Sequence, residues 1–518
     1  MKICLINPRF PLSLWDFSLC QDLAGSKFPF PPLQLVTLAG LTPDEHEVVI
    51  CDENVKPVAL DLDADIIGIT GYHIQKERVF QLADIFRSKG KKVAIGGPLV
   101  NKSALDDCAA HADAVFLGEA EYTWPAFIRD FQSGGVRPLY AQDGFVDLTV
   151  SPAPRFDLLE LSEYSTAIIE TARGCPHSCE FCEIPVRLGQ RPRNKSAQQV
   201  MTEIQSLYAL GADSIFIIDD NFFGNRKKAL ELLAGIERFV KSIDYRVYFS
   251  CQFTIDISQD EDILSLMNKA NFRRVFVGIE TPRQSSLTRS RKNQNTNINL
   301  LDSVNRIQSR SIIVWGAFIV GFDADDKNIF DEQFRFIQEA SIPVAMVGIL
   351  QAIPGTPLYA RIKQEGRLRD DNAGGIRGAA DRLIQTNITP LNMSPEELAG
   401  GYSHLVRDLY SYNNFAGRLI SAVKLGQKNG LKGKTHTGKK GPATLFRLLR
   451  HYVLSIDLRR VYMFMQIIFQ TLLHNPQYLY TALMHLVVYK HLKQFYEQET
   501  HTSEARIKDF KPPGLHNY

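Results

Sequence analysis

No long apolar run occurs in this sequence. Between Leu445 and Leu492, a region dense in Leu, Ile, Met, Phe and Tyr, the residues Gln466, Gln470, His474 and the Asn475-Pro476 break interrupt every apolar stretch. Each stays below the ~18 uninterrupted apolar residues of a membrane-spanning helix. Charge imbalance is also missing: 59 basic and 57 acidic residues leave a formal +2. That balance excludes a general polyanion binder, and no nucleic-acid partner is expected. Cysteines are few, eight in 518 residues, which excludes a disulfide framework and makes a clustered set the intracellular use of the thiol. Met1-Lys2-Ile3-Cys4-Leu5-Ile6-Asn7-Pro8 lacks the apolar segment and small-residue cleavage site of a secretion signal, so a strand and a cytoplasmic location are expected. No Gly-x-Gly-x-x-Gly nucleotide fingerprint is present.

What is present reads as several domains, since 518 residues exceed one average core. In residues 1–140, Ile3 to Ile6, Glu47 to Cys51, Ile66 to Thr70, Lys92 to Ile95 and Ala114 to Leu117 are β-branched runs at helix-length intervals, the pattern of a buried parallel sheet. The loops after these strands carry Asn7 and Pro8, then Gly71, Tyr72 and His73, then Gly96 and Gly97, then Gly118 and Glu119. Open sheets of this kind bind ligands beyond the carboxyl ends of their strands, so these loops form one candidate rim. Residues 141–163 contain Ser151-Pro152-Ala153-Pro154, whose prolines predict a linker.

From 164 to 370, strand candidates at Ile215 to Asp219, Tyr248 to Cys251, Val275 to Ile279, Val314 to Val320 and Ala345 to Leu350 alternate with amphipathic stretches. With the stretch before Cys175 they make six, which suits a partial (β/α)6 barrel. Asp219, Asp220, Gln252 and Glu280 fall at the carboxyl ends of strands, where a barrel gathers its functional groups. Helix caps or salt bridges are the structural alternatives for the acids. Gly316 would let backbone approach a flat adenine, or merely bend its strand. Residues 371–423 read as a helical extension, 424–440 as a flexible loop with six lysines and no acid, and 441–518 as an apolar helical region. Packing of that region on the barrel and peripheral attachment to a membrane, helped by Arg447, Arg450, Arg459 and Arg460, are both open.

The densest signal is Thr171-Ala172-Arg173-Gly174-Cys175-Pro176-His177-Ser178-Cys179-Glu180-Phe181-Cys182. A mononuclear zinc site wants four ligands, and His177 between two thiols has poor reach to be the fourth. Three thiolates suit a cubane iron–sulfur cluster with one iron open; zinc and ordinary buried cysteines are the alternatives. Arg187, Arg191 and Arg193 follow closely and could hold a carboxylate or phosphate, or form a solvated face.

This Cys-x3-Cys-x2-Cys run resembles the signature of the radical S-adenosylmethionine enzymes. The resemblance implies a [4Fe-4S] cluster on Cys175, Cys179 and Cys182 whose open iron binds S-adenosylmethionine, with contacts to the cosubstrate from Asp219, Asp220, Gln252, Glu280 and Gly316. The amino-terminal stretch resembles the cobalamin-binding domain of the class B methyltransferases of that superfamily, through Asn7-Pro8, Phe30-Pro31-Pro32-Leu33, Gly71, Gly96-Gly97-Pro98 and Gly118-Glu119-Ala120-Glu121. It implies cobalamin as a further cofactor, bound by that rim. The Asp-x-His-x-x-Gly run that carries a cobalt-ligating histidine elsewhere is absent; for His73, cobalt ligand, rim contact and surface residue stay open. Residues 1 to about 415 are similar to the subgroup containing hopanoid C-2 methylases and bacteriochlorophyllide methylases. That implies an α/β protein, with Rossmann-like domain, barrel and helical carboxyl domain, that methylates an unactivated carbon of a hydrophobic substrate and takes electrons from a donor such as flavodoxin or ferredoxin. A cobalamin-containing radical cyclase or rearrangement enzyme, and a corrin-binding sensor, are the alternatives.

Overall fold

The computed structural model describes residues 1–369, 386–426 and 440–509. Its first sheet holds β1 (Lys2–Asn7), β2 (Glu47–Asp52), β3 (Ile66–Thr70), β4 (Lys92–Gly96), β5 (Ala114–Leu117) and β6 (Leu139–Ala141). They run in the order β2-β1-β3-β4-β5-β6 with every pair parallel. The five expected strands form where the β-branched runs lie, because a parallel sheet covered on both faces needs apolar side chains on both. The sixth, β6, was not expected, and pairs through Val115↔Leu139 and Phe116↔Tyr140 at the sheet edge. Helices α1 (Leu33–Leu41), α2 (Lys76–Ser88), α3 (Leu105–His111) and α4 (Thr123–Gln132) cover the sheet. Crossovers of this kind leave the carboxyl ends of the strands on one rim.

The second sheet begins with β7 (Ala167–Ile169), followed by a two-strand ribbon of β8 (Ala172–Arg173) and β9 (Arg193–Asn194) that brackets the cysteine loop. It continues through β10 (Ser214–Ile217), β11 (Tyr248–Phe253), β12 (Phe272–Glu280), β13 (Ile313–Val320) and β14 (Val344–Ile349), ordered β7-β10-β11-β12-β13-β14. All neighbours are parallel, which makes the expected open six-stranded barrel. The strand expected at Ile215 to Asp219 stops at Ile217, because Asp219 is drawn into hydrogen bonds with Thr171 and Ala172. Helices α5 (Ala197–Ala209), α6 (Arg226–Ser242), α7 (Glu261–Lys269), α8 (Leu300–Ser309), α9 (Ile329–Glu339) and α10 (Pro357–Gln364) follow in the barrel region. Ser196 opens α5 through a capping box with Gln199, which satisfies two otherwise orphaned backbone donors.

Which strand face meets these helices follows from register, since directly paired residues share a face. Phe318 meets Phe336 of α9, so Val314, Gly316 and Val320 face the helices too, and all four are buried. The opposite face carries Phe216, Gln252, Phe276, Ala317, Ile319 and Gly348, each partly accessible. Its residues pair in one continuous register, Gln252↔Phe276, Phe276↔Trp315, Ala317↔Met346 and Ile319↔Gly348. The outer face is therefore the packed core, and the inner face, which lines the barrel lumen, is the less buried one.

Ser394 caps α11 (Pro395–Leu409), as Ser394-Pro395-Glu396-Glu397 suggests, with Glu397 completing a capping box. α12 (Tyr412–Leu425), α13 (Lys440–Tyr452), α14 (Leu458–His474) and α15 (Leu479–Asp509) complete the bundle. Of the expected basic loop 424–440, Lys424 lies in the last turn of α12 and Lys440 opens α13; residues 427–439 lie outside the described residues, as do residues 370–385. α15 closes the structure against three partners. Trp315 Nε1 donates to His485 Nε2 at 3.0 Å, Tyr480 stacks on Tyr248 at 5.4 Å, and Lys490 pairs with Asp22 of the amino-terminal domain at 2.6 Å. Burial pushes His485 down to about 4, so it stays neutral and its Nε2 accepts the hydrogen bond from the indole N–H.

Candidate functional site

The cysteine loop leaves β8 at Gly174, whose φ of +96° favours glycine and whose missing side chain matters for a second reason. A Cβ there would stand 2.9 Å from Gly189 O and 3.0 Å from Leu188 O, so the loop closes on itself only over a bare α-carbon. Two aspartates fix the approach. Asp219 Oδ1 accepts from Thr171 N at 2.6 Å and Ala172 N at 3.1 Å while Oδ2 accepts from Thr171 Oγ1, and Asp220 accepts from Gly174 N at 3.0 Å. Burial pushes Asp219 up to about 7 and Asp220 up to about 6. Sequence reasoning gives these residues to the cosubstrate; here Asp219 is 1% exposed with both oxygens committed to the loop backbone and Thr171. Asp220 is half-buried and holds one backbone group.

Within the loop, Glu180 pairs with Arg361 at 2.7 Å, and its backbone nitrogen donates to Ser290 O. Cys179 is buried, while Cys175 and Cys182 are partly accessible. Burial raises Cys175 and pushes Cys182 up to about 12, and Cys179 raises both further. The three thiols thus lie close enough to feel one another's charge. Gln294 Nε2 donates to Cys179 Sγ at 3.5 Å. The Lys292 ammonium opposes the upward shifts of Cys175 and Cys182. Among the described residues no group of three or more His, Cys, Asp or Glu is arranged for a single metal ion. A cubane spreads its thiolates over separate irons, so three mutually sensed thiols beside a buried cation fit that group by donor type and charge.

Lys292 is a residue that sequence reasoning missed. It forms a pair with Glu280 at 2.6 Å, with side chains 8% and 7% exposed, and Glu280 holds its ammonium above the ordinary pKa against burial. Glu280, expected to contact the cosubstrate or to form a salt bridge, forms the salt bridge in this structure, at a backbone φ of +65°. The Cβ position of Gly316 faces the helices, 2.6 Å from the Phe318 ring, so a side chain there would collide with that packing. Gln252 is partly accessible on the lumen face, in register with Phe276.

Above the lumen lies the rim of the first sheet. Asn7 is buried, donates to Asp52 at 3.0 Å, and leaves Oδ1 without a hydrogen-bond partner; Pro8 O accepts from Gln75, which ties the β1 loop to the β3 loop. Gly71 backs onto Val79, and Gly96 sits over Phe116. Gly97 has a φ of +87°, and a Cβ would stand 2.5 Å from Thr70 Oγ1, so the rim stays low there. Tyr72 is exposed and stands against Phe10 at 5.7 Å, while His73 Nε2 meets Asn101 Nδ2 at 3.0 Å and burial lowers its pKa. Gly118 leads to Glu119, which is spent on the barrel: it accepts from Arg173 at 2.7 Å and Arg193 at 2.8 Å. Against its burial, these arginines hold Glu119 below the usual carboxylate range. Arg173 also pairs with Glu121 at 2.8 Å and Glu170 at 2.8 Å. Arg193 is thus an interdomain tie rather than a free anion receptor, and Arg187 pairs with Glu183 at 3.0 Å. Trp15, 53% exposed, stands edge-on to Phe276 at 5.5 Å, so the amino-terminal domain reaches the barrel lumen.

Comparison with known proteins agrees with this layout. Residues 169–337 match the Radical SAM superfamily, and residues 356–505 match a Domain of unknown function (DUF4070). Over 421 residues the chain is 34% identical to an uncharacterized methyltransferase of Synechocystis sp., spanning 81% of this chain and 78% of that one. It is also 34% identical over 380 residues to the hopanoid C-2 methylase of Rhodopseudomonas palustris, spanning 72% of each. The chain belongs to the radical S-adenosylmethionine superfamily, in the methyltransferase family of that hopanoid methylase. The fold of this radical S-adenosylmethionine enzyme is also similar to that of the cobalamin-dependent radical enzyme OxsB, solved with aqua-cobalamin bound, at a TM-score of 0.61 and 14% identity over 96% of this chain and 84% of that one.

Proposed function

We propose that this enzyme transfers a methyl group from S-adenosylmethionine to an unactivated carbon of a hydrophobic substrate, with a [4Fe-4S] cluster and cobalamin as resident cofactors. The observation that carries the reading is the contrast between the two faces of the barrel sheet: its helix face is buried, whereas Phe216, Phe276, Ala317 and Ile319 on the other stay partly accessible, with Trp15 of the amino-terminal domain against Phe276. An apolar lumen next to a radical source suits a greasy substrate, because apolar surface leaves water there at about 25 cal/mol per Å². The names of the relatives support methyl transfer, and that of the hopanoid methylase supports an isoprenoid lipid; a tetrapyrrole meets the same apolar requirement.

When bound, the cluster supplies the electron that cleaves S-adenosylmethionine, and the corrin supplies a methyl group to a carbon radical. Cys175, Cys179 and Cys182 would hold the iron and leave one position for the cosubstrate. Asp219 and Asp220 hold the backbone leading into that loop, so the thiols are positioned before ligation. Gly71 and Gly97 keep the rim low enough for a flat macrocycle, and Asn7 Oδ1 remains as an uncommitted acceptor under it. Gln252 is a polar side chain of the lumen face suited to orient the cosubstrate. Phe216, Phe276 and Trp15 would bury the body of the substrate and exclude water from the reacting carbon. Electrons would come from a protein such as flavodoxin or ferredoxin.

Anaerobically reconstituted enzyme given methyl-deuterated S-adenosylmethionine, reductant, and membrane-lipid or tetrapyrrole extracts should place label on carbon in one product. 5'-Deoxyadenosine and S-adenosylhomocysteine should form together. Turnover of a verified substrate with no label retained would mean a cyclase or rearrangement enzyme, and corrin binding without any cleavage would mean a sensor.

A further inference from the structure

α14 carries apolar side chains on two faces, with Arg459, Gln466 and Gln470 between them. Met463, Phe464 and Ile467 on one face are buried in the bundle. The other face repeats at helical spacing and is bare: Tyr462 is 63%, Met465 54% and Phe469 63% exposed. The turn between α13 and α14 is more exposed still, with Leu454 at 79%, Ile456 at 100% and Leu458 at 78%. Single exposed apolar residues are ordinary, but a continuous set along a helix and its leading turn marks a surface that meets something apolar.

Charge indicates what that is. Between 440 and 474 the sequence has five Lys or Arg residues and a single acid, Asp457. Asp457 is used within the fold, accepting from Tyr412 at 2.9 Å and capping α14. Arg450 is exposed, and Arg459, 3.7 Å from Asp457, keeps its side chain 86% exposed beside the turn. An apolar stripe bordered by cations is the composition of a helix lying at the boundary between anionic headgroups and acyl chains. A second copy of the chain is a poor occupant, because a two-fold contact would bring this basic segment against its own image. No helix of the described residues is long and apolar enough to cross a membrane.

We propose that the α13–α14 hairpin docks this enzyme on an anionic bilayer surface, inserting the Leu454-to-Leu458 turn and the bare face of α14 into the interfacial layer. This surface is independent of the radical chemistry proposed above.

The test is flotation of the full-length, anaerobically reconstituted protein with phosphatidylcholine vesicles, with and without phosphatidylglycerol. Wild-type protein should float with the anionic vesicles and dissociate as salt rises. Ile456→Asp combined with Leu458→Asp alters two exposed side chains and should reduce partitioning by about tenfold or more, because burial of both is lost. Unchanged melting temperature and S-adenosylmethionine cleavage would show that this variant is folded. Arg450→Glu combined with Arg459→Glu should remove the preference for anionic vesicles. The proposal is overturned if wild-type protein floats with neither vesicle, if the turn variant floats as well as wild type, or if sedimentation without vesicles shows a dimer that the turn variant abolishes.

Discussion

Asp219 offers a quantitative test of how the cysteine loop is held. Its carboxylate is 1% exposed and serves three donors of Thr171 and Ala172. Asp219→Ala orphans two backbone N–H groups, at about 1–3 kcal/mol each. Asp219→Asn differs: its amide oxygen keeps both N–H bonds, and its nitrogen can donate to Thr171 Oγ1. Burial raises the folded-state pKa from 3.8 to about 7. The unfolded chain releases this proton near 3.8, so between those values the folded state binds more protons and stability falls as pH rises, levelling off above about 7. The full loss is on the order of 4 kcal/mol, equivalent to roughly 10 °C for a unit of this barrel's size. Asn does not titrate. The melting temperature of anaerobic apo wild type relative to Asp219→Asn should therefore drop from about pH 5 to about pH 8, and taking the difference cancels the titration of other groups. A difference independent of pH, or an Asn variant as unstable as the Ala variant, would refute the account of a buried, titrating brace.

Replacing Cys175, Cys179 and Cys182 together by Ala should abolish the iron-dependent absorbance of reconstituted protein while cobalamin still binds, as read by corrin absorbance after gel filtration. Lys292→Met leaves the buried Glu280 charge unpaired and should destabilise the fold by about 3–5 kcal/mol in denaturant unfolding; adding Glu280→Met should recover most of that loss. Gly97→Val forces a β-branched residue to positive φ against Thr70 Oγ1 and should cost about 1–2 kcal/mol in backbone strain alone. Titration of that variant should show corrin affinity reduced and iron content unchanged.

The strands were legible wherever β-branched runs lay between helix-length intervals, as at Ile66 to Thr70 and Ala345 to Leu350. β6 was not, because Leu139-Tyr140-Ala141 is a three-residue edge strand with too little pattern to show. The cysteine loop could be read from spacing alone. The orientation of Gly316 could not: Ile313-Val314-Trp315-Gly316-Ala317-Phe318-Ile319-Val320 is apolar on both faces, so alternation carries no information about which side meets the helices. Partners distant in sequence were equally hidden. Arg193 looked like part of a basic face until the fold brought Glu119, 74 positions away, against it. Lys292 sits in Ser290-Arg291-Lys292-Asn293, which reads as surface, and nothing short of the fold reveals it as a buried cation beside the thiols. Arg173 had the better signal, directly before Gly174-Cys175, but its acids come from three separate positions.

The position of α15 explains why a carboxyl-terminal bundle belongs with this barrel. A six-stranded barrel does not close on itself, so the edges of its lumen must be covered by something else. α15 supplies Tyr480 against Tyr248 and His485 against Trp315, and the Tyr496 hydroxyl accepts from Val347 N at 3.2 Å. The same helix holds the amino-terminal domain: His491 lies 5.1 Å from Phe17, and Lys490 pairs with Asp22. Its remaining side packs on the bundle, where Tyr452 donates to Leu486 O at 2.6 Å and Tyr489 stacks on Phe415 at 4.1 Å. One helix therefore joins the rim, the lumen and the hairpin that carries the exposed apolar turn. Between that hairpin and the barrel strands stand packed aromatic contacts of α15 rather than a loop. Loosening α15 with His485→Ala should consequently disturb substrate binding in the lumen before it disturbs the cysteine loop, which is held separately by Asp219, Asp220 and Glu180.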